Sequence, residues 1–98
     1  MERVVFEVVE IRGKCSVHRL GDKITIEGAR IVLEETDALC IHALPSLLHY
    51  AVALREGISP VKLGLSKDEG VAYIQCLDPG EPYTSGGTVV FMAKRERK

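Results

Sequence analysis

The first third of the chain has two patterns of hydrophobic and polar residues, and both predict β-strands. Residues 4–11 are apolar at all but two positions, which predicts a strand buried on both faces. Residues 23–27 alternate strictly between polar and apolar side chains, which predicts a half-buried strand. A short third strand is expected over residues 30–34, and the turn centred on Gly28 indicates that the second and third strands form a hairpin.

In the middle of the chain the apolar spacing changes to three or four residues, which predicts a helix that ends at Gly57. Thr36 and Asp37 are the residue types that cap a helix, so we expect one of them to begin it. Pro45 lies inside this segment and allows two arrangements. Either the helix begins there, or an earlier helical turn over residues 38–43 is kinked against the proline, and we favour the kinked form. The core-facing stripe comprises Leu44, Leu47, Leu48, Ala51, Val52 and Leu54.

The last third of the chain predicts two further strands, separated by a strong turn. Residues 59–70 are polar and rich in turn formers, which indicates an exposed loop. Strands are expected over residues 71–77 and 88–93, and proline followed by glycine makes residues 78–82 the strongest turn signal in the chain. The charged residues 94–98 are interpreted as a tail.

These elements predict a single α+β domain over residues 1–98, with the order β-β-β-α-β-β. A chain of 98 residues is the length of one domain. One main helix should pack on a curved, mostly antiparallel sheet of about five strands. The first and last strands are expected at its centre, where they are candidates to pair, and a strongly coiled sheet would form a half-open barrel.

Charge and composition argue against some classes of function and indicate a cellular compartment. Thirteen basic and fourteen acidic residues leave a net charge of −1, which does not favour binding to nucleic acid or to an anionic membrane. The chain contains neither a signal-peptide pattern nor an apolar run that could span a bilayer. We therefore expect a cytoplasmic protein, in which cysteines stay as thiols or act as ligands. The absence of asparagine and the single glutamine are typical of a thermophilic source.

The most distinctive chemistry of the chain is a set of thiol and imidazole side chains. Cys15 and His18 are separated by two residues, the spacing that lets one turn hold an ion from two sides. Cys40 and Cys76 come singly from other segments and would complete a zinc site or an iron–sulfur site. Cys40 and His42 could face the same ion only from a turn, because residues two apart on a helix point in different directions.

Three other interpretations remain open. The cysteines could be small buried hydrophobic residues that only pack. The protein could associate into a homodimer through a sheet face that one helix leaves uncovered. It could also be an enzyme or redox protein with an activated thiol. In that case the roles would fall to Cys40 or Cys76 as thiol, His18 or His42 as base, and Asp22 or Asp78 as orienting group. No substrate or small-molecule ligand is indicated.

The same residues form a pattern that resembles a family of small uncharacterised prokaryotic proteins. The pattern runs through Gly13-Lys14-Cys15, His18, Leu20-Gly21-Asp22, Cys40, His42-Ala43-Leu44-Pro45 and Cys76-Leu77-Asp78-Pro79-Gly80. The resemblance spans nearly the whole chain and emphasises the cysteines, the Gly-Asp turn and the Asp-Pro-Gly turn, but it implies no activity. Family members often carry proline after each cysteine, where this chain has Ser16, Ile41 and Leu77.

Overall fold

Five strands form one antiparallel sheet in the computed structural model, which describes residues 2–97. The strands are β1 (Glu2–Gly13), β2 (Lys23–Glu27), β3 (Arg30–Ile31), β4 (Ala72–Gln75) and β5 (Gly87–Arg97). A 3-10 turn (Leu33–Glu35) and one α-helix, α1 (Leu44–Arg55), lie between β3 and β4. The predicted α+β class is confirmed. The order of elements along the chain differs from the predicted one in a detail, because a 3-10 turn lies between β3 and α1.

Helix α1 covers one face of the sheet and closes the hydrophobic core. Its buried residues Leu47, Ala51 and Leu54 recur at the spacing of a helix face, whereas Leu48 and Val52, expected in the same stripe, are about half exposed. Burying each large apolar side chain contributes about 1.5–3 kcal/mol, so this face supplies much of the stability. The core residues of the strands are Val4, Phe6, Val8, Ile24, Ile26, Ala72, Ile74, Val89, Phe91 and Ala93.

The helix begins at Leu44, and the predicted kinked helical turn over residues 38–43 is wrong. Pro45 lies in the first turn of α1, and Ala43 is the N-cap residue without a side-chain cap. A proline fits this position because the first N–H groups of a helix have no partner inside it, so the missing donor costs nothing. The structure therefore has the simpler of the two arrangements that the sequence allowed.

Thr36 and Asp37, expected to cap the helix, instead bind the backbone of β2. The Thr36 hydroxyl accepts a hydrogen bond from the Thr25 amide at 3.2 Å, and the Asp37 carboxylate accepts one from the Lys23 amide at 2.8 Å. Residues that can cap a helix serve equally well for any exposed backbone amide. Here they hold the segment before the helix against the sheet.

The first and last strands pair along their whole length, and a bulge at Val9 changes which side chains face the helix. Val8 lies opposite Phe91 and Ile11 lies opposite Val89, so β1 contributes one extra residue between them. Since one extra residue reverses the alternation of faces, Ile11 points to the helix-covered side, as Val8 does. The chain then leaves the sheet on this side at Gly13.

The sheet does not close into the half-open barrel that the sequence allowed. β3 and β4 are its two edges, in the order β3-β2-β1-β5-β4. Residues 94–97, interpreted as a charged tail, continue β5 and pair with the start of β1. Lys98 lies outside the described residues.

Candidate functional site

Three segments enclose a cavity of about 350 Å³ at the end of the sheet where β1 ends and β5 begins. They are the loop over residues 14–18, the segment over residues 39–43 before α1, and the adjoining ends of β4 and β5. Pockets of about 300–1,000 Å³ are typical for small ligands. The cavity lining includes all four predicted ligands, Cys15, His18, Cys40 and Cys76, together with His42 and Asp78.

Cys15 and His18 lie in the loop that follows β1. Cys15 is half-buried, and its sulfur accepts a hydrogen bond from the backbone amide of His18 at 3.2 Å. The far end of the loop is bound to β1, because Val8 donates to the Asp22 carbonyl and accepts from the Gly21 amide, both at 2.9 Å. The loop is therefore anchored to the sheet beyond His18.

The imidazole of His18 is completely buried beside Phe91. The two rings meet edge to face, with their centroids 5.2 Å apart. Nδ1 lies 3.5 Å from Asp22 Oδ2, within the range of an ion pair, but within residues 2–97 neither ring nitrogen has a hydrogen-bond partner. Each buried polar group without a partner costs about 1–3 kcal/mol, so this side chain is poorly explained by packing alone.

Cys40 and His42 line the cavity from a turn. A turn is the arrangement in which the sequence analysis expected these two side chains to be able to share a site. The Cys40 carbonyl accepts hydrogen bonds from the amides of Ala43 and Leu44 at 3.0 and 2.9 Å. His42 is exposed, and its carbonyl accepts from the Leu77 amide at 2.9 Å. This last bond ties the turn to the segment that contains Cys76.

Cys76 follows β4 directly and is the most buried of the three thiols, with 4% of its surface exposed. Its sulfur accepts a hydrogen bond from the Val89 amide at 3.3 Å, and the thiol donates to the carbonyl oxygens of Asp78 and Gly87, both at 3.8 Å. Its own amide donates to the Val89 carbonyl at 2.9 Å. Cys76 therefore belongs to the floor of the cavity and is held there by β5.

Asp78 forms the turn beside Cys76 and keeps a negative charge at the cavity. Its carboxylate accepts hydrogen bonds from the Thr84 hydroxyl and from the Gly80 amide. These two bonds, the Thr84 bond first, hold the pKa of Asp78 below its usual value, and the nearby His42 acts in the same direction. Thr84 was missing from the sequence-based site, because nothing in its spacing marks it as a partner of Asp78.

Gly87 was also missing from the sequence-based site, and it allows the close approach of β1 and β5 beside the cavity. A Cβ atom at this position would lie 2.6 Å from both the Arg12 carbonyl oxygen and the Lys14 amide nitrogen. Gly13 lies opposite Gly87 in the strand register. Glycines near the ends of two long apolar strands are a signal that could have indicated this contact.

The cysteines share one cavity, but their sulfurs do not meet at a point. Within residues 2–97, no three His, Cys, Asp or Glu side chains are arranged so that they could hold a metal ion. In the same residues, no helix has the length and apolar character needed to cross a membrane. No family model, curated protein or solved structure matches the chain. The resemblance to small prokaryotic proteins thus stays a prediction.

Proposed function

We propose that the protein is a small binding module whose cavity takes a zinc ion through the thiolates of Cys15, Cys40 and Cys76, with His18 as the fourth ligand. The observation that carries this proposal is that three cysteines from three separate segments line one cavity. Zinc prefers four ligands drawn from thiolates and imidazoles in a tetrahedral arrangement. The residues at the cavity offer that donor set.

The environment of two sulfurs supports the proposal. Cys15 accepts a backbone hydrogen bond from His18, and Cys76 accepts one from Val89. Hydrogen bonds to sulfur are a recurrent feature of metal–thiolate sites, where they stabilise the charge of the thiolate and orient it.

Zinc binding requires the cysteine sulfurs to move closer together, because no three donor side chains within residues 2–97 are placed to hold an ion. Rotation about χ1 moves a cysteine sulfur among staggered positions, and a side chain held away from its best rotamer costs about 0.5–1.5 kcal/mol. Structural zinc binding to zinc-finger peptides contributes about 10–16 kcal/mol at neutral pH. This free energy exceeds the cost of moving three cysteine side chains out of their best rotamers, which is one part of the rearrangement.

The test is a calorimetric titration of zinc into metal-free protein and into three variants, Cys15→Ser, Cys40→Ser and Cys76→Ser. We expect one zinc per chain, and each substitution should weaken binding by more than the ~10–100-fold that loss of an outer partner costs. His49→Ala is the matched control, because His49 lies on α1 and does not line this cavity. Absence of binding to the wild type, or equal binding by the serine variants, would contradict the proposal.

A parallel reconstitution with iron and sulfide in the absence of oxygen distinguishes the two expected cofactors. Visible absorption that depends on the same three cysteines would assign an iron–sulfur cluster to the cavity in place of zinc. A colourless protein that binds zinc stoichiometrically supports the zinc site.

A thiol-based enzyme or redox protein is the second candidate, and the position of Cys40 favours it. Cys40 shares the cavity with His42 and Asp78, which supply a base and a carboxylate. Cys76 is less suited to this role because its sulfur is buried and bound by β5. This candidate predicts that Cys40 is alkylated by iodoacetamide faster than free cysteine at neutral pH.

Replacement of His42 should slow this alkylation several-fold, since the thiol would lose its base. His49→Ala again serves as the control and should leave the rate unchanged. Equal rates in the wild type and His42→Ala, both at the level of free cysteine, would count against a thiol enzyme.

A further inference from the structure

We propose that the sheet face opposite α1 is the contact surface of a symmetric homodimer, in which Glu7 of each subunit pairs with Lys94 of the partner subunit. The inference is independent of the zinc site, because neither residue lines the cavity. A second copy of the chain is the partner that the charged and apolar side chains of this face fit.

The face opposite α1 carries a contiguous apolar patch. Side chains of β1 and β5 alternate between the helix-covered face and this one. Val5, Val90 and Met92 lie on this face and are half-buried, and Tyr73 of β4 lies opposite Met92 with 45% of its surface exposed. None of the four belongs to the hydrophobic core cluster or is among the side chains packed against it. Contiguous apolar patches of this kind are typical of interaction sites.

Four residues at the centre of this face form a square of alternating character. The register of β1 and β5 places Val5 opposite Lys94, and it places Glu7 opposite Met92. The two charged residues therefore occupy one diagonal of the square, about 7–8 Å long, and the two apolar residues occupy the other. In the part of the chain that the structure describes, neither charged side chain forms a hydrogen bond or an ion pair. Both charges are thus available to a partner.

The square is complementary to itself under two-fold symmetry. In a symmetric dimer the same patch of both subunits meets about a two-fold axis. An axis along the apolar diagonal places Val5 against Val5 of the partner subunit and exchanges the positions of Glu7 and Lys94. Each dimer then gains two ion pairs beside an apolar centre. Complementary charges of this kind fix the register of an interface and disfavour other partners.

The size of the face predicts a reversible dimer. β1 and β5 contain 12 and 11 residues, and β2 and β4 flank them in the sheet. At about 3.4 Å per residue and about 4.8 Å between strands, these four strands present a face on the order of 500 Å². The 3-10 turn packs against β2, at the border of this face. Interfaces that bury about 1,000 Å² over both partners are at the weak end of specific association.

The first experiment is sedimentation velocity of the wild type, Glu7→Lys and Lys94→Glu over a series of protein concentrations. We expect the wild type to dimerise below about 1 mM. Each variant should need at least about 10-fold more protein, because like charges then face each other across the axis. Lys62→Glu is the matched control, since Lys62 is exposed in the loop after α1 and its reversal should leave association unchanged. A wild type that stays monomeric up to about 1 mM would overturn the inference.

A mixture of the two charge variants distinguishes a pair between subunits from a pair within one chain. In a mixed dimer of Glu7→Lys with Lys94→Glu, both contacts again join opposite charges, so the mixture should dimerise at the concentration of the wild type. Mixing cannot restore a pair within one chain, because each variant chain keeps two like charges. An equimolar mixture that associates no better than either variant alone would refute the proposed interface.

Met92→Lys tests the apolar diagonal of the square. It should weaken association at least about 10-fold, because a charge would be buried against its own copy across the axis. Its circular dichroism melt should stay close to that of the wild type, since Met92 lies outside the core cluster. Tyr83→Lys is the control, because Tyr83 is 81% exposed in the turn after β4. A folded Met92→Lys protein that dimerises as the wild type does would place the interface on another surface and contradict the inference.

Discussion

Arg3 organises the corner of the sheet at the opposite end of β1 from the cavity. It is 5% exposed, and its guanidinium lies 2.7 Å from the Glu27 carboxylate and 2.5 Å from that of Glu35. Its hydrogen bonds raise its own pKa and, as the largest cause, lower the pKa of Glu27. The 3-10 turn that carries Glu35 is thereby held over the sheet face that α1 does not cover.

The ion pair between Arg3 and Glu27 predicts a specific loss of stability in acid. Because the folded state lowers the pKa of Glu27, its contribution is complete above the unfolded pKa of about 4.3 and disappears as the pH falls through the folded value. Glu27→Gln should therefore melt below the wild type near neutral pH, and the difference should shrink in acid. Circular dichroism melts at several pH values measure this.

The control for this prediction is Glu34→Gln. Glu34 is exposed and lies 3.7 Å from Arg30, so its replacement should change the melting temperature little at any pH. A constant difference between Glu27→Gln and the wild type from neutral to acidic pH would contradict the role of Arg3.

The paired strands β1 and β5 position the cavity, and at Gly87 they leave no room for a Cβ atom. The atoms that a Cβ would meet there belong to the backbone of Arg12 and Lys14, which cannot rotate away. Gly87→Ala should therefore destabilise the protein by about 1–3 kcal/mol, the usual cost of overpacking. Urea unfolding measures this change.

Gly70→Ala is the matched control, because Gly70 lies in an exposed loop and its nearest contact is the flexible side chain of Asp68. We expect it to unfold at nearly the same urea concentration as the wild type. A Gly87→Ala protein as stable as the wild type would show that the close approach of the strands is not required.

Local patterns predicted the elements well, and their ends less well. The alternation over residues 23–27 coincides with β2, because a half-buried strand needs no information beyond its own neighbours. The helix start was misplaced because Thr36 and Asp37 can bind any free amide, and those of β2 were nearer than the helix. Charged residues 94–97 looked like a tail, since their partner strand lies at the other end of the chain.

The sequence predicted which cysteines belong to the candidate site, because they lie in the segments that connect the strands and the helix. Cys15 and Cys76 closely follow β1 and β4, Cys40 lies in the segment before α1, and such connecting positions can cluster at one end of a small sheet. Their shared cavity depends on the pairing of β1 with β5, which the apolar character of both strands indicated, and on the register of that pairing, which no local pattern specifies. The hydrogen bonds to two of the sulfurs and the buried state of His18 likewise required the structure.

Within residues 2–97, one helix packs on one sheet, and the three cysteines, His18 and His42 line one cavity at a single end of that sheet. The proposed function requires that the three cysteines act on the same ligand. Binding data alone could reflect an ion held by one thiol and water. A count of the atoms around the ion distinguishes these arrangements.

X-ray absorption at the zinc edge of the loaded protein gives that count most directly. We expect three sulfurs at about 2.3 Å and one nitrogen at about 2.0–2.1 Å from the zinc. A first shell with one sulfur or none, completed by oxygen, would contradict it.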